Sequence, residues 1–538
     1  MRNTFVSCAA ERDTGGVFSF RAVYDGYRAC RRRKRGTANA QRYERRLLDH
    51  LVDTAEALQR RDYAPSRSLC FVARQPKARE IHAADFSDRV VHHVLVPRLE
   101  ALFEPVFIDD LYSNRKGKGT HAAVERLGAF MRSVSDNGKR PAWFLQLDVR
   151  NFFNRIDQAL LFRLVNRRLK KAVDGALIDA AEARDLSWLT HLLLKQDFKH
   201  ETLYRCTPQE LDRVPPYKRL TEAPPGKGLP IGNLTSQFYA NVYLNELDQF
   251  VKHGLKCRHY LRYVDDFVLV HESPAQLHDW ERRIEAFLAE RLMLELKPDR
   301  RLRPVTDGSD FLGYIVRPRY RLVRRRVVGN LRERLAPFER VAVTATSLRL
   351  QAAARDRLRA VLASYLGHFA HADAHRLVRR LFAVRPWLGV LFDWVAGALG
   401  PRWQPPSVTS LRSQVAYFRQ AFEPALVLVQ LGNRVAAFEA DLRQALAVAP
   451  WLERWSQMRA ETRHGLGEGR SWPLSHLKGL GQSLRRAGQP YCFIAEEGWL
   501  PGGMKRRVLR YLFVGPNAPL LLGPAGPGGA VGAPSSTP

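Results

Sequence analysis

Apolar positions change period several times along the chain, and the changes outline its elements. Between residues 20 and 70 they recur at helical spacing in a very basic stretch that includes Arg31-Arg32-Arg33-Lys34-Arg35. Short extended pieces then alternate with an amphipathic segment at 88–102, followed by a polar, glycine-bearing loop at 112–120. Residues 142–149 (AWFLQLDV) read as a buried strand ending in an acid, and helical periodicity follows over 157–171. The polar stretch 200–228, with Pro215, Pro216, Pro224 and Pro225, reads as a loop, and 232–250 as a helix. Residues 260–270 (YLRYVDDFVLV) read as two short strands around a turn. Beyond them the pattern predicts a helix over 274–290, strands at 292–296 and 311–316, an arginine-dense segment at 319–334, and a wholly helical stretch over 345–400. Residues 401–406 (PRWQPP) mark a linker, a compact unit extends to about 515, and the Gly/Pro/Ala-rich tail is expected to be disordered. No internal repeat is evident.

With 538 residues, 45% of them hydrophobic, the chain is expected to bury several cores. Lys and Arg number 86 against 54 acidic residues, a formal net charge of +32. An excess of that size points to a polyanion, usually nucleic acid; a solvated basic surface or an anionic membrane partner is the alternative. The six cysteines are scattered and none forms a CxxC pair, which argues against a disulfide framework and against a zinc knuckle. No apolar run is long enough for a signal peptide or a membrane span, so a cytoplasmic location without a membrane partner is expected. The Ala- and Arg-rich composition suggests a GC-rich bacterial source.

Two adjacent aspartates at a hairpin tip, Asp265 and Asp266, repel one another between apolar strands. Such a placement makes sense when divalent cations sit between the acids, and Asp148, at the end of a separate strand, would complete the cage. Two Mg²⁺ ions about 4 Å apart can activate a hydroxyl and stabilise a leaving pyrophosphate. Asp109-Asp110 serves as an internal control: it is also an acidic pair, but it lies beside a loop without matching strands.

Tyr263-Val264-Asp265-Asp266 matches the YxDD box of reverse transcriptases, and the order of the surrounding segments resembles that family as well. Lys77-Ala78-Arg79-Glu80-Ile81 with Asp88-Arg89-Val90-Val91 is similar to the fingers, and Ser113 to Thr120 to the next block. Asp148-Val149-Arg150-Asn151-Phe152-Phe153 is similar to the first palm acid and its helix, Leu296-Lys297 to the palm lysine, and Phe311-Leu312-Gly313-Tyr314 to the block before the thumb. The likeness covers about residues 70–380. It implies an α/β (α+β) right-hand polymerase with fingers, palm and helical thumb, followed here by a small C-terminal α/β domain. The expected divisions are a basic helical extension (1–70), fingers and palm (71–320), thumb (321–400), accessory domain (401–515) and tail (516–538).

The same resemblance implies roles. Asp148, Asp265 and Asp266 are the catalytic acids, and with Val149 they form the site of two Mg²⁺ ions, with Mn²⁺ as a substitute. Lys77, Arg79, Phe152, Phe153, Ile231 and Lys297 line the deoxynucleotide site. Phe153 is the steric gate against a ribose 2′-hydroxyl, or an ordinary core aromatic; Lys77 and Arg79 hold the triphosphate, or are surface charge. Lys297 is a proton donor to the pyrophosphate, or a structural residue. Arg115, Lys116, Gln237, Tyr263, Arg324 and Arg325 face template and primer, and the basic segment 317–334 follows the duplex backbone in a salt-sensitive way.

In Gly228-Leu229-Pro230-Ile231-Gly232-Asn233-Leu234-Thr235-Ser236-Gln237, Ile231 and Gln237 stand where most bacterial reverse transcriptases have Gln and Pro. This variant resembles the enzymes of diversity-generating retroelements and their defence-associated relatives, as does Ser364-Tyr365-Leu366-Gly367-His368 with His371-Ala372. It implies error-prone copying of a structured RNA into cDNA from a DNA or RNA primer, with a small basic accessory protein as partner. An antiviral defence enzyme and a non-catalytic RNA-binding scaffold are the alternatives. Residues 425–433 and 484–496 faintly resemble strand-bearing pieces of the MutS mismatch-recognition domain, but its Phe-x-Glu wedge is absent at 434–436. Neither an HNH-type nuclease nor an RNase H signature is evident.

Overall fold

The computed structural model describes residues 16–74, 77–395, 398–405, 410–456, 466–500 and 502–516. Most of the expected tail lies outside them. Contacts divide the chain into two compact units, Met1–Leu312 with Val316–Arg319, and Gly313–Ile315 with Tyr320–Pro538.

The first unit is organised around a four-stranded antiparallel sheet in the order Tyr260–Tyr263, Asp266–His271, Trp143–Asp148, Arg301–Pro304. The two inner strands are apolar along most of their length, with polar residues at Gln146, Asp148, Asp266 and His271. Helices Thr120–Val134 and Pro274–Leu292 pack against these strands. The second begins on a sequence-encoded cap: the Ser273 hydroxyl accepts from the Gln276 amide at 3.3 Å, with Pro274 at the first helical position. A smaller sheet has Ser68–Ala73 in its centre, antiparallel to Arg79–Ala83 and parallel to Thr202–Tyr204. The basic N-terminal stretch forms three helices, Phe20–Arg31, Ala38–Glu44 and Leu47–Arg60, whose buried faces join the same core as helix Phe86–Phe103.

Several elements differ from the sequence pattern. The strand expected at 292–296 is absent: the helix runs on through Leu292, ends on Met293 at φ +52°, and only Leu296 bridges to Val149. The alternation there reflects burial of Leu292, Leu294 and Leu296 without strand pairing. Arg301–Pro304 (RLRP) is a strand that its charges concealed, as suits a sheet edge. Helix Ala180–Leu194 lies beyond the periodicity read at 157–171.

In the second unit, helix Arg325–Ala342 buries Leu331, Leu335, Phe338 and Ala342 on one face and presents Arg325, Arg326, Arg332 and Arg334 to solvent. The stretch 345–400 is not wholly helical. It contains the strand Ser347–Arg349 and a hairpin of Phe392–Val395 with Ala398–Pro401. Ser347–Arg349 is an edge of a six-stranded sheet and pairs antiparallel with Lys505–Phe513, a partner that local periodicity cannot reveal. One cluster of buried side chains draws on both Leu331–Phe392 and Trp403–Leu512, across the proline-rich stretch at 401–406. No helix among the described residues is long and apolar enough to cross a membrane.

A buried ion pair underlies the hairpin of the first unit. Arg262 and Asp248 are both fully buried; the Arg262 guanidinium donates to Asp248 at 2.8 Å, and the Tyr260 hydroxyl donates to the same carboxylate at 2.7 Å. Arg262→Ala would leave the Asp248 charge buried without its cation, so we expect a loss of about 3–5 kcal/mol in urea unfolding. Arg282→Ala, which breaks an exposed pair with Asp279, should cost less than about 1 kcal/mol.

Candidate active site

The strand Trp143–Asp148 alternates so that Gln146 and Asp148 share one face. Asp148 stands directly opposite Asp266 on the neighbouring strand. Tyr263 pairs with Asp266, leaving Val264 and Asp265 as a two-residue connection. Val264 has φ +58°, a conformation for which a β-branched side chain is poorly suited and glycine is usual. Hydrogen bonds hold it there. Its amide donates to the Ser113 hydroxyl at 3.0 Å, and its carbonyl accepts from Arg262 at 2.8 Å. Ser113 in turn donates to Asn241 at 3.1 Å. The strained tip therefore rests on the buried Arg262–Asp248 pair and delivers Asp265 beside Asp148, where the Val149 amide donates to the Asp265 carbonyl at 3.2 Å.

The electrostatics follow from this crowding. Burial pushes the Asp266 carboxyl up to about 8, with Asp148 and Asp265 adding repulsion against the Gln146 hydrogen bond. Asp265 is raised by burial and then by Asp148. Gln146 donates to both oxygens of Asp266, at 3.1 and 3.3 Å, and to the Asp310 carbonyl at 3.2 Å. Lys297 forms an ion pair with Asp148 Oδ2, and its amide donates to the Asp148 carbonyl at 2.8 Å. Asp148 Oδ1 is buried and accepts no hydrogen bond. An orphaned carboxylate oxygen among three acids is a hard-oxygen donor set, and it fits a divalent cation such as Mg²⁺ or Mn²⁺.

Asp109-Asp110 is the informative contrast. Asp109 is paired with Lys118 at 2.8 Å, and Asp110 with Arg126 at 2.7 Å and Lys252 at 3.0 Å. That acidic pair is neutralised by three protein cations. At the hairpin, the three aspartates have one ion pair among the described residues, Lys297 with Asp148.

The remaining expected residues divide. Phe152 is 2% exposed and packs in the core, so its ring does not line an open site. Phe153 is half-buried, edge-on to Phe152 at 5.4 Å, and its carbonyl accepts from Leu229 at 2.8 Å. Ile231 is half-buried and its carbonyl accepts from the His82 amide at 3.0 Å. The adjacent Gly232, at φ +126°, has no room for a Cβ, which would come within 2.9 Å of Ile81. Arg115, expected on a template, is instead turned inward: it pairs with Glu104 at 2.7 Å and donates to the carbonyls of Ile108 at 2.7 Å and Leu111 at 3.2 Å. Lys116 and Gln237 are exposed, and the Tyr263 hydroxyl lies 3.3 Å from that of Thr120. Lys77 and Arg79 are exposed at the hairpin of the smaller sheet. Arg324 stands immediately before helix Arg325–Ala342 in the second unit, where Arg325 is exposed. Gln146 and Ser113, with the supporting Asn241, Arg262 and Asp248, were not anticipated. Gln146 was detectable from the two-residue period that puts it on the face of Asp148; Ser113 required the tertiary fold.

Comparison with known proteins bears on the segment that carries these residues. A family described as "Reverse transcriptase (RNA-dependent DNA polymerase)" matches residues 73–316. Protein YkfC of Escherichia coli strain K12 is 24% identical over 315 residues, which is 52% of this chain and 74% of that protein. The group II intron-encoded protein LtrA of Lactococcus lactis subsp. cremoris is 26% identical over 175 residues, 32% of this chain and 23% of that protein. A solved structure of apo telomerase from Candida tropicalis is similar at a TM-score of 0.35 and 13% identity, covering 48% of this chain and 56% of that one.

The raised carboxyls set a pH dependence. Asp266 keeps its proton in the folded protein up to about pH 8 but loses it near 4 when unfolded. Between those values the folded state binds more protons, so the stability of the metal-free protein falls as pH rises. Asp266→Asn should flatten that slope and raise stability at pH 8 by at least about 1.4 kcal/mol, the equivalent of one unit. Thermal unfolding in chelator from pH 5 to 9 tests this; equal slopes in the two proteins would refute it.

Proposed function

We propose that this chain, which carries a reverse transcriptase domain over residues 73–316, polymerises deoxynucleotides on an RNA template at Asp148, Asp265 and Asp266. The observation that carries the reading is the convergence of these three carboxylates inside the matched segment, Asp148 and Asp266 on paired strands and Asp265 in the connection beside them, with the buried Asp148 Oδ1 lacking a donor. Divalent cations, two Mg²⁺ ions with Mn²⁺ as a substitute, would supply activation of the primer 3′-hydroxyl and charge neutralisation at the leaving pyrophosphate. Asp148, Asp265 and Asp266 would hold them, with Val149 beside the acids.

The other residues then take complementary parts. The Lys297 ammonium balances the acids through its pair with Asp148 and is suited to protonate the pyrophosphate as it leaves. Phe153 keeps part of its ring accessible, which suits a gate against a 2′-hydroxyl; the buried Phe152 supports it from behind. Lys77 and Arg79 are free of the core and suited to grip the triphosphate. Lys116, Gln237 and Tyr263 are assigned to template or primer, as are Arg324 and Arg325 of the second unit. The inward ion pair of Arg115 gives that residue a positioning role, holding the loop on which Lys116 is exposed.

The finer reading is an error-prone enzyme of a diversity-generating retroelement, and it rests on Ile231. An isoleucine side chain cannot hydrogen-bond near an incoming nucleotide, and one such contact contributes roughly 1 kcal/mol of discrimination.

Primer extension with Mg²⁺ on RNA and DNA templates tests both readings. The Asp265→Ala/Asp266→Ala protein should lose DNA synthesis at least about 10³-fold, as removal of a charge-stabilising group does elsewhere. Synthesis that survives the substitution would sink the polymerase assignment. In product sequences, Ile231→Gln should lower misincorporation at template adenines about fivefold, the factor for roughly 1 kcal/mol. Accurate copying by the unaltered protein, unchanged by that substitution, would sink the mutagenic reading alone.

A further inference from the structure

A second group of ligand-type side chains lies in the three-stranded sheet, on strands that carry none of the catalytic carboxylates. Cys70 on the central strand Ser68–Ala73 stands directly opposite His82 on Arg79–Ala83. Glu80, two residues before His82, projects from the same face. On the other side of the central strand, Tyr204 stands opposite Cys70, and Cys206 follows two residues later. The side chains of Cys70, Glu80 and His82 are buried, and one ligand atom from each lies within 4.8 Å of the others. Glu80 Oε1 is 3.4 Å from His82 Nε2 and 4.0 Å from Cys70 Sγ. His82 Nε2 is buried and has no hydrogen-bond partner, whereas its Nδ1 faces the hydroxyls of Ser68 and Thr202, each at 3.4 Å. The Cys206 thiol adjoins that of Cys70 and is less buried.

We propose that Cys70, Glu80 and His82, with Cys206 as the fourth ligand, form a structural zinc site that staples this sheet. Tetrahedral zinc holds nitrogen, oxygen and sulfur at about 2.0–2.3 Å, which sets ligand atoms about 3.3–3.8 Å apart. The Glu80–His82 spacing lies in that range and the Cys70–Glu80 spacing just above it, so these three need only small shifts, whereas the Cys206 thiol must turn inward to join them. Thiolate and imidazole ligands favour zinc over hard cations, so this site and the all-carboxylate site select different metals by chemistry. The hydroxyls at His82 Nδ1 fix the ring and direct Nε2 toward Glu80 and Cys70, as outer-shell partners of ligating histidines do. Binding breaks two S–H bonds, forms two S–Zn bonds and releases two protons to solvent. No CxxC spacing is needed, because strand register rather than a knuckle collects the ligands.

The staple also reaches the segment that carries Ile231. Glu80 Oε2 accepts from the Leu220 amide, and the His82 amide donates to the Ile231 carbonyl. One ion would thus tie residues 68–73, 79–83 and 202–206 together and fix the strand on which 231 rests.

The test is elemental analysis of the full-length protein, purified from unsupplemented medium and washed with chelator. About one equivalent of zinc per chain is expected, retained in Asp265→Ala/Asp266→Ala and lost in Cys70→Ser and in His82→Ala. Because those two variants remove core side chains, a second measurement uses unaltered protein. Replacing the metal with Co²⁺ should give a near-ultraviolet sulfur-to-cobalt band and strong visible tetrahedral bands. Cys206→Ser, at the less buried position, should weaken the sulfur band by about half. Absence of zinc together with a cobalt spectrum lacking the sulfur band would overturn the proposal and leave a hydrogen-bonded buried cluster. A Cys70–Cys206 disulfide found by mass analysis of the alkylated native protein would overturn it equally.

Discussion

Three carboxylates brought to one edge of a sheet repel each other, and much of the first unit is arranged to hold them there regardless. The tip residue Val264 adopts a conformation that isoleucine-like side chains avoid, and it stays because Ser113 and Arg262 bond both ends of its peptide unit. Arg262 could not be buried without Asp248, and Asp248 is further tied to Tyr260. The chain of dependence runs from the acids outward: repulsion at the surface of the sheet, strain at the turn, and a neutral ion pair beneath. The other acidic pair, Asp109-Asp110, shows the cheaper solution available when no cation has to be admitted, since Lys118, Arg126 and Lys252 cover it.

The parts of this arrangement that local pattern controls were legible in the sequence. An apolar strand ending in Asp148 and an apolar hairpin around Asp265-Asp266 announce themselves by period and by chemistry, and the register that sets Asp148 against Asp266 follows from which faces are buried. What was not legible depends on partners distant in the chain. The strand Arg301–Pro304 is written in charges because it is an edge, and Ser347–Arg349 is a strand only because Lys505–Phe513 arrives beside it. Arg115 looked like a surface cation in a basic loop; Glu104 and two carbonyls turn it inward. Phe152 and Phe153 are adjacent and chemically identical, and nothing local decides which ring is interior.

The same reasoning separates the two kinds of buried polar cluster in the first unit. At the hairpin, the converging ligand atoms are carboxylate oxygens, and the surrounding groups orient them while Lys297 offsets part of their charge. In the smaller sheet, sulfur, nitrogen and oxygen converge under a layer of hydroxyls, with strand pairing rather than a strained turn fixing their positions. In both clusters a buried atom, Asp148 Oδ1 or His82 Nε2, lacks a hydrogen bond and lies among ligand-type side chains.

The pairing of Ser347–Arg349 with Lys505–Phe513 has a consequence for the order of events on the ribosome. Nearly all of the first unit is synthesised before residue 320, so its sheets can close while synthesis of the second continues. The second unit is different. Its helices emerge early, but the strand that links them to the central sheet is completed only when residue 513 appears, more than 150 positions later. Until then an amphipathic, arginine-faced helix and an unpaired strand edge wait in solution, the kind of exposure on which chaperones act.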